Sequence, residues 1–97
     1  MLRERDIEGR LVHAVKERGG ICPKFVSPGF DGMPDRIVLL PGGGNHLGFV
    51  EVKQKGKVPR PLQRKRHEML RTLGYKVFVL DDPEQIPGII HSIEGGS

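Results

Sequence analysis

Asp35, Glu51 and Lys53 are the residues whose types and spacing could do chemistry. Asp35 opens the run Asp35-Arg36-Ile37-Val38-Leu39-Leu40, after Met33-Pro34, and Glu51 lies near the end of Leu47-Gly48-Phe49-Val50-Glu51-Val52-Lys53-Gln54. Both runs are apolar and rich in β-branched residues. Pro41-Gly42-Gly43-Gly44-Asn45-His46 between them is turn-forming, so the stretch reads as a β-hairpin. An antiparallel pair sets the start of its first strand beside the end of its second, so the two acids meet at the open end. Lys53 follows Glu51 by two residues, and strand side chains alternate, so both face one side. Two carboxylates with an ammonium beside them make a site for a hard cation.

Phosphodiester hydrolysis needs that combination: a metal on the scissile phosphate, an activated water, and positive charge where negative charge builds up. Asp35 and Glu51 are the expected carboxylate ligands, helped by the Val52 backbone carbonyl at the strand end. Mg²⁺ keeps several waters and takes one or two carboxylates, so this small ligand set is adequate for Mg²⁺ or Mn²⁺. Lys53 would position or deprotonate the attacking water, or stabilise the charge of the pentavalent phosphorane. A lone Glu-x-Lys is more often an exposed strand pair. The Pro-Asp whose Asp35 stands sixteen positions before Glu51 (51 minus 35) turns the balance toward chemistry.

The surrounding chain supplies elements to hold the hairpin. From about residue 3 to 18, Ile7, Leu11, Ala14 and Val15 recur at helical steps, and Gly19-Gly20 ends the run. Glu8 sits at the border of that apolar stripe. Residues 21–26 form a short strand candidate, weakened by Pro23 and so expected at an edge. Residues 27–34 are a loop that delivers the chain to Asp35. After a basic connection over 54–60, Pro61 opens a helix reaching about Leu73, with Leu62, Met69, Leu70 and Leu73 as its apolar stripe and Gly74 as its stop. Gln63 and His67, four apart, share another face. Residues 75–80 make a further strand, and Asp81-Asp82-Pro83 caps a final helix or turn through Ile90. The expected order is α-β-β-β-α-β-α, a mixed sheet with helices on its faces, in one domain spanning 1–97.

Composition limits the partners. The 97 residues carry 16 Lys and Arg against 12 Asp and Glu, a net charge of +4, which suits a polyanion such as DNA. Arg60, Arg64, Lys65 and Arg66, with Lys55 and Lys57, are the expected phosphate contacts. No base-reading motif is present, so recognition by DNA shape is expected. The single Cys22 excludes an internal disulfide and points to a reducing, cytoplasmic setting. No apolar run approaches the ~20 residues of a membrane span, so no membrane partner is expected. The glycine triplet lacks the context of a P-loop, and His13, His46, His67 and Cys22 lack zinc spacing. Cys22 reads as core, and His67 could touch the site through its helix face.

Pro34-Asp35 followed by Glu51-Val52-Lys53, after an acidic helix, resembles the PD-(D/E)xK nuclease superfamily. Gly48-Phe49-Val50-Glu51-Val52-Lys53 with Gly56-Lys57-Val58-Pro59-Arg60-Pro61-Leu62-Gln63 narrows the resemblance to the stand-alone, virus-type VRR-NUC domains of phages, over essentially the whole chain. Val58-Pro59-Arg60 departs from a literal Val-Arg-Arg. The resemblance implies a restriction-endonuclease-like α/β (α+β) fold with an α-β-β-β-α-β core. It also implies divalent-metal-dependent DNA cleavage, and often a homodimer that cuts branched DNA in the manner of Holliday-junction resolvases. Glu8, Asp35, Glu51, Lys53 and Gln63 match the motif positions. On that match Glu8 would reach the metal or a metal-bound water, and Gln63 would orient water or phosphate.

The expectation is therefore an Mg²⁺- or Mn²⁺-dependent endonuclease for branched DNA, in the host cytoplasm if the chain is phage-encoded. Two symmetric cuts would need two active sites, which a two-fold homodimer supplies. Ile86, Ile89, Ile90 and Ile93 would cover the core or form that interface. The rival readings are a non-catalytic basic DNA-binding module and a monomeric flap-cutting or nicking nuclease.

Overall fold

The computed structural model describes residues 2–95. Its centre is a three-stranded sheet in the order β1-β2-β3, formed by Arg36–Leu39, Leu47–Val52 and Lys76–Leu80. β1 and β2 are the expected antiparallel hairpin, with Arg36 opposite Val50 and Leu39 opposite Leu47. That register, continued by one residue, sets Asp35 against Glu51. β3 runs parallel to β2 with Glu51 beside Val79, as the helical crossover between them requires.

Strand alternation divides the molecule into two layers around the sheet. On one face, Val38, Val50, Val52 and Leu80 pack with Ile7, Leu11 and Val15 of α1 (Glu4–Glu17) and with α3 (Ile86–Ile93). On the other face, Phe49 and Val77 pack with Leu70 of α2 (Pro61–Thr72). Glu51 is two residues from Phe49 and therefore lies under α2. The four isoleucines of α3 are all buried in the larger core, so the structure uses them as core cover.

The helix boundaries follow local chemistry. Pro61 at the first position of α2 forfeits only an amide that would have no helical partner, and the Gln63 side chain accepts the Arg60 N–H at 2.8 Å. Gly74 ends the helix at a φ of +98°, which a side chain would resist. α3 runs to Ile93, beyond the expected Ile90, after a turn of 3-10 helix at Pro83–Gln85. Its Pro87 falls in the first turn, where the ring is tolerated.

Residues 21–26 depart from expectation. They lie along β1 but make only two isolated bridges, Ile21 to Leu39 and Lys24 to Arg36. The reason is Pro23: its carbonyl accepts the Ile37 N–H at 3.1 Å, but it has no N–H to return. The ladder is broken at its middle, and the core order among the described residues becomes α-β-β-α-β-α. No helix of the described residues is long and apolar enough to cross a membrane.

Candidate active site

The hairpin mouth brings together Asp35, Glu51 and Lys53. Asp35 Oδ2 accepts the Val52 N–H at 2.9 Å, which locks the acid against the end of β2. The strand register brings its carboxyl beside that of Glu51, whose titration it shifts upward. Lys53 Nζ stands 3.8 Å from Glu51 Oε2, so the strand parity read from the sequence holds in space.

Glu51 is 1% exposed, an unusual place for a carboxylate. α2 makes it tolerable. Gln63 Nε2 donates to Glu51 Oε2 at 3.2 Å, and His67 Nε2 lies 3.4 Å from Glu51 Oε1. Gln63 and His67 are themselves buried, one helical turn apart on the face turned to the sheet. Burial, then the neighbouring carboxyl of Asp35 and its negative charge, push the Glu51 carboxyl up to about 8, against a smaller downward pull from Lys53. The Glu4 carboxylate of α1 adds to the upward push. Burial also lowers His67, with Arg71 adding to the effect, so its imidazole is neutral near pH 7.

Among the described residues no three His, Cys, Asp or Glu side chains cluster as a closed metal cage. The donor set is smaller but chemically apt. Two neighbouring acids, one of them holding its proton first because of burial and then because of the other's charge, could hold a divalent cation in the proton's place. Two protein carboxylates would leave most of the coordination sphere to water and phosphate oxygens, which suits a hard divalent cation.

Glu8 is placed differently from these. Its Oε2 accepts Arg36 Nε at 2.7 Å, and Arg36 Nη1 donates to the Cys22 carbonyl at 2.8 Å. Arg36 is the first residue of β1 and shares the α1 face with Val38, whereas Asp35 Oδ2 reaches the Val52 N–H at the end of β2. Glu8 therefore pairs with Arg36, the chain neighbour of Asp35. Cys22 is buried with its thiol pushed up to about 11 by burial, which leaves it a core residue. Of the basic residues, Lys55 is paired with Asp82 at 3.0 Å. Arg66 is committed to the loop before Asp35 through the Asp31 carbonyl. Arg60, Arg64, Lys65 and Lys57 are exposed and form no ion pair among the described residues.

Sequence reasoning missed the electrostatic reach of Glu4 and the forked Arg36. Neither has a local signal, because Glu4 reads as one more charge on a solvated helix turn and Arg36 as an exposed strand residue.

Comparisons with known proteins bear on the family and the fold. A solved structure described as a VRR-NUC domain superposes with a TM-score of 0.83 at 30% identity, covering 94% of this chain and 97% of that one. A relative in Acyrthosiphon pisum secondary endosymbiont phage 1, named "Putative nuclease p44", is 48% identical over 84 residues, 87% of this chain and 88% of its own length. The chain belongs to the VRR-NUC family. A second solved VRR-NUC domain protein, at 22% identity and a TM-score of 0.68, shares the fold over 96% of this chain. No family model matches the sequence.

Proposed function

We propose that this VRR-NUC domain is a divalent-metal-dependent DNA endonuclease that hydrolyses phosphodiester bonds in branched DNA, as a homodimer in the host cytoplasm. The single observation that carries the reading is the buried Glu51, set beside Asp35 and flanked by Lys53, at the open mouth of the hairpin. A structural role alone would not explain an acid pair set against its own protonation equilibrium, because an apolar pair would fill the position at less cost.

Asp35, Glu51 and the Val52 carbonyl would hold Mg²⁺ or Mn²⁺. When bound, the metal would supply Lewis acidity toward the scissile phosphate and toward the leaving oxygen. Lys53 orients the attacking water and offsets the charge that develops on the phosphorane. Gln63 and His67 fix the Glu51 carboxylate so that it need not reorganise during the reaction. Glu8 steadies Asp35 through Arg36. Arg60, Arg64, Lys65 and Lys57 bind backbone phosphates, which selects shape over sequence. Leu62, Met69 and Leu73 are exposed at seven- and four-residue steps along α2. With the α3 isoleucines in the core, a two-fold contact would draw on other exposed apolar residues, such as Ile21, Val26 and Leu73.

The test is cleavage of labelled four-way junction, flap and linear duplex DNA in Mg²⁺, Mn²⁺ or EDTA, with wild type and Lys53→Ala. Metal-dependent cutting lost in the variant supports the nuclease, and paired symmetric nicks at the junction support the dimeric resolvase. Binding by both proteins with no cutting in either metal overturns the catalytic reading.

A further inference from the structure

Phe30 lies in the loop that leads into Pro34-Asp35, and it is 40% exposed. The Arg66 guanidinium sits over its ring, 3.8 Å from the centroid. The same guanidinium is held in place: Nε donates to the Asp31 carbonyl at 2.8 Å and Nη1 contacts Met69 Sδ at 3.4 Å. The loop is equally fixed. Phe30 N–H donates to the Ser27 carbonyl at 3.1 Å, and Gly29 and Gly32 take φ of +78° and +89°. A Cβ on Gly32 would lie 2.9 Å from Leu62 Cγ and 3.2 Å from Arg66 Cγ, so the turn is seated directly on α2. The outcome is a rigid aromatic ring, backed on one side by a cation and open to solvent.

The ring is tied to the active site twice. Along the chain, Asp35 follows Phe30 by five positions, a reach of at most about 18 Å. Through α2, Arg66 follows Gln63 by three residues, about 4.5 Å along the helix axis, and Gln63 holds Glu51. Exposed Lys65 neighbours Arg66 on the same helix, while Arg60 and Arg64 lie round it on the other side of Gln63. A strand running from the acid pair to Lys65 would carry its bases past the ring within about five nucleotides, at 3.4 Å per nucleotide.

We propose that Phe30, backed by Arg66, is a stacking platform for an unpaired base at a branch point or flap, and so a specificity determinant. This rests on the nuclease reading for its substrate but not for its measurement. An intact duplex keeps its base faces inside the stack and offers an exposed phenyl ring nothing flat to cover. A base freed at a junction or flap presents its full face, and stacking on an immobilised aromatic is indifferent to base identity. The guanidinium polarises the ring and prevents its collapse onto α2. Selectivity for branched over linear DNA then needs no base-edge readout.

The experiment uses 2-aminopurine at the unpaired position of a flap or junction, with the protein bound in Ca²⁺. Wild type and Phe30→Tyr should quench its fluorescence. Phe30→Leu, which keeps an apolar side chain without a ring, should abolish the quench and weaken branched-DNA binding about tenfold. Its affinity for linear duplex should stay within about twofold, and its thermal melt should match wild type. Equal quench and equal branched affinity in Phe30→Leu overturn the platform. A shift of Phe30→Leu from dimer to monomer with the quench intact also overturns it and reassigns the ring to the subunit contact. Failure of the nuclease reading shows separately, as no cutting of any DNA by wild type in Mg²⁺ or Mn²⁺.

Discussion

Gln63 Nε2 donates to Glu51 Oε2 at 3.2 Å, while the same side chain's Oε1 accepts the Arg60 N–H at 2.8 Å. One amide therefore caps the start of α2 and anchors the buried acid of β2. A carboxylate in that position could only accept, and an apolar residue could do neither.

Replacing it should show both roles at once. Gln63→Ala leaves a buried carboxyl short of a donor and a helix N-terminus short of an acceptor, which costs about 1–3 kcal/mol of stability. Urea denaturation would measure that loss. Nuclease activity should fall with the metal requirement shifted to higher concentration, because Glu51 is no longer held. A variant as stable and as active as wild type would remove Gln63 from the site.

Glu51 itself makes stability depend on pH. Its carboxyl titrates near 8 in the folded chain against 4.5 as its ordinary value. The folded state therefore binds a proton more tightly than the unfolded one. The resulting stabilisation is full below about pH 4.5 and is lost as pH rises through 8. Metal-free melts across that window should fall with pH in wild type, and Glu51→Gln should flatten the curve. Mg²⁺ at pH 8 should raise the wild-type midpoint and leave the variant unmoved. A flat wild-type curve would mean that Glu51 ionises normally.

Much of this site was legible because its parts are close in sequence and obey strand parity. The hairpin from Asp35 to Lys53 follows from two apolar runs and a glycine turn, and period two put Glu51 and Lys53 on one side. Gln63 lay outside such reasoning and came only with the family resemblance. Pairings made by tertiary contact left no pattern: Arg36 with Glu8, Lys55 with Asp82, and the depth at which His67 is buried. Pro23 marks the segment over 21–26 as a weak edge strand in the sequence, and it does lie on the edge beside β1. That its pairing shrinks to two isolated bridges depends on the neighbour Ile37, which the sequence does not show.

Gly20 shows how tightly that segment is laid down. A Cβ there would stand 2.2 Å from the Leu39 carbonyl oxygen and 2.9 Å from Leu40 Cδ2. Leu39 oxygen also accepts the Ile21 N–H at 3.0 Å, so it cannot retreat without breaking the bridge. Overpacking usually costs about 1–3 kcal/mol, and here the obstacle is backbone, so Gly20→Ala should reach the top of that range. A melt unchanged from wild type would refute the close approach. Gly9→Ala, with open space around its position, serves as the control and should not destabilise.

The charges free to meet DNA can be separated from those already engaged by their salt dependence. Each phosphate contact releases counterions and adds about 0.9 to the slope of log affinity against log salt. Arg64 and Lys65 form no ion pair among the described residues, so Arg64→Ala or Lys65→Ala should lower that slope by about 1 on every DNA tested. Lys55 must first leave Asp82, 3.0 Å away, so Lys55→Ala should change the slope by much less. The contrast discriminates a phosphate track along α2 from a diffuse attraction to net charge. In the diffuse case all three variants would shift the slope equally. Measuring binding in Ca²⁺ from low to moderate salt would give the three slopes directly, and equal values would abolish the assigned path.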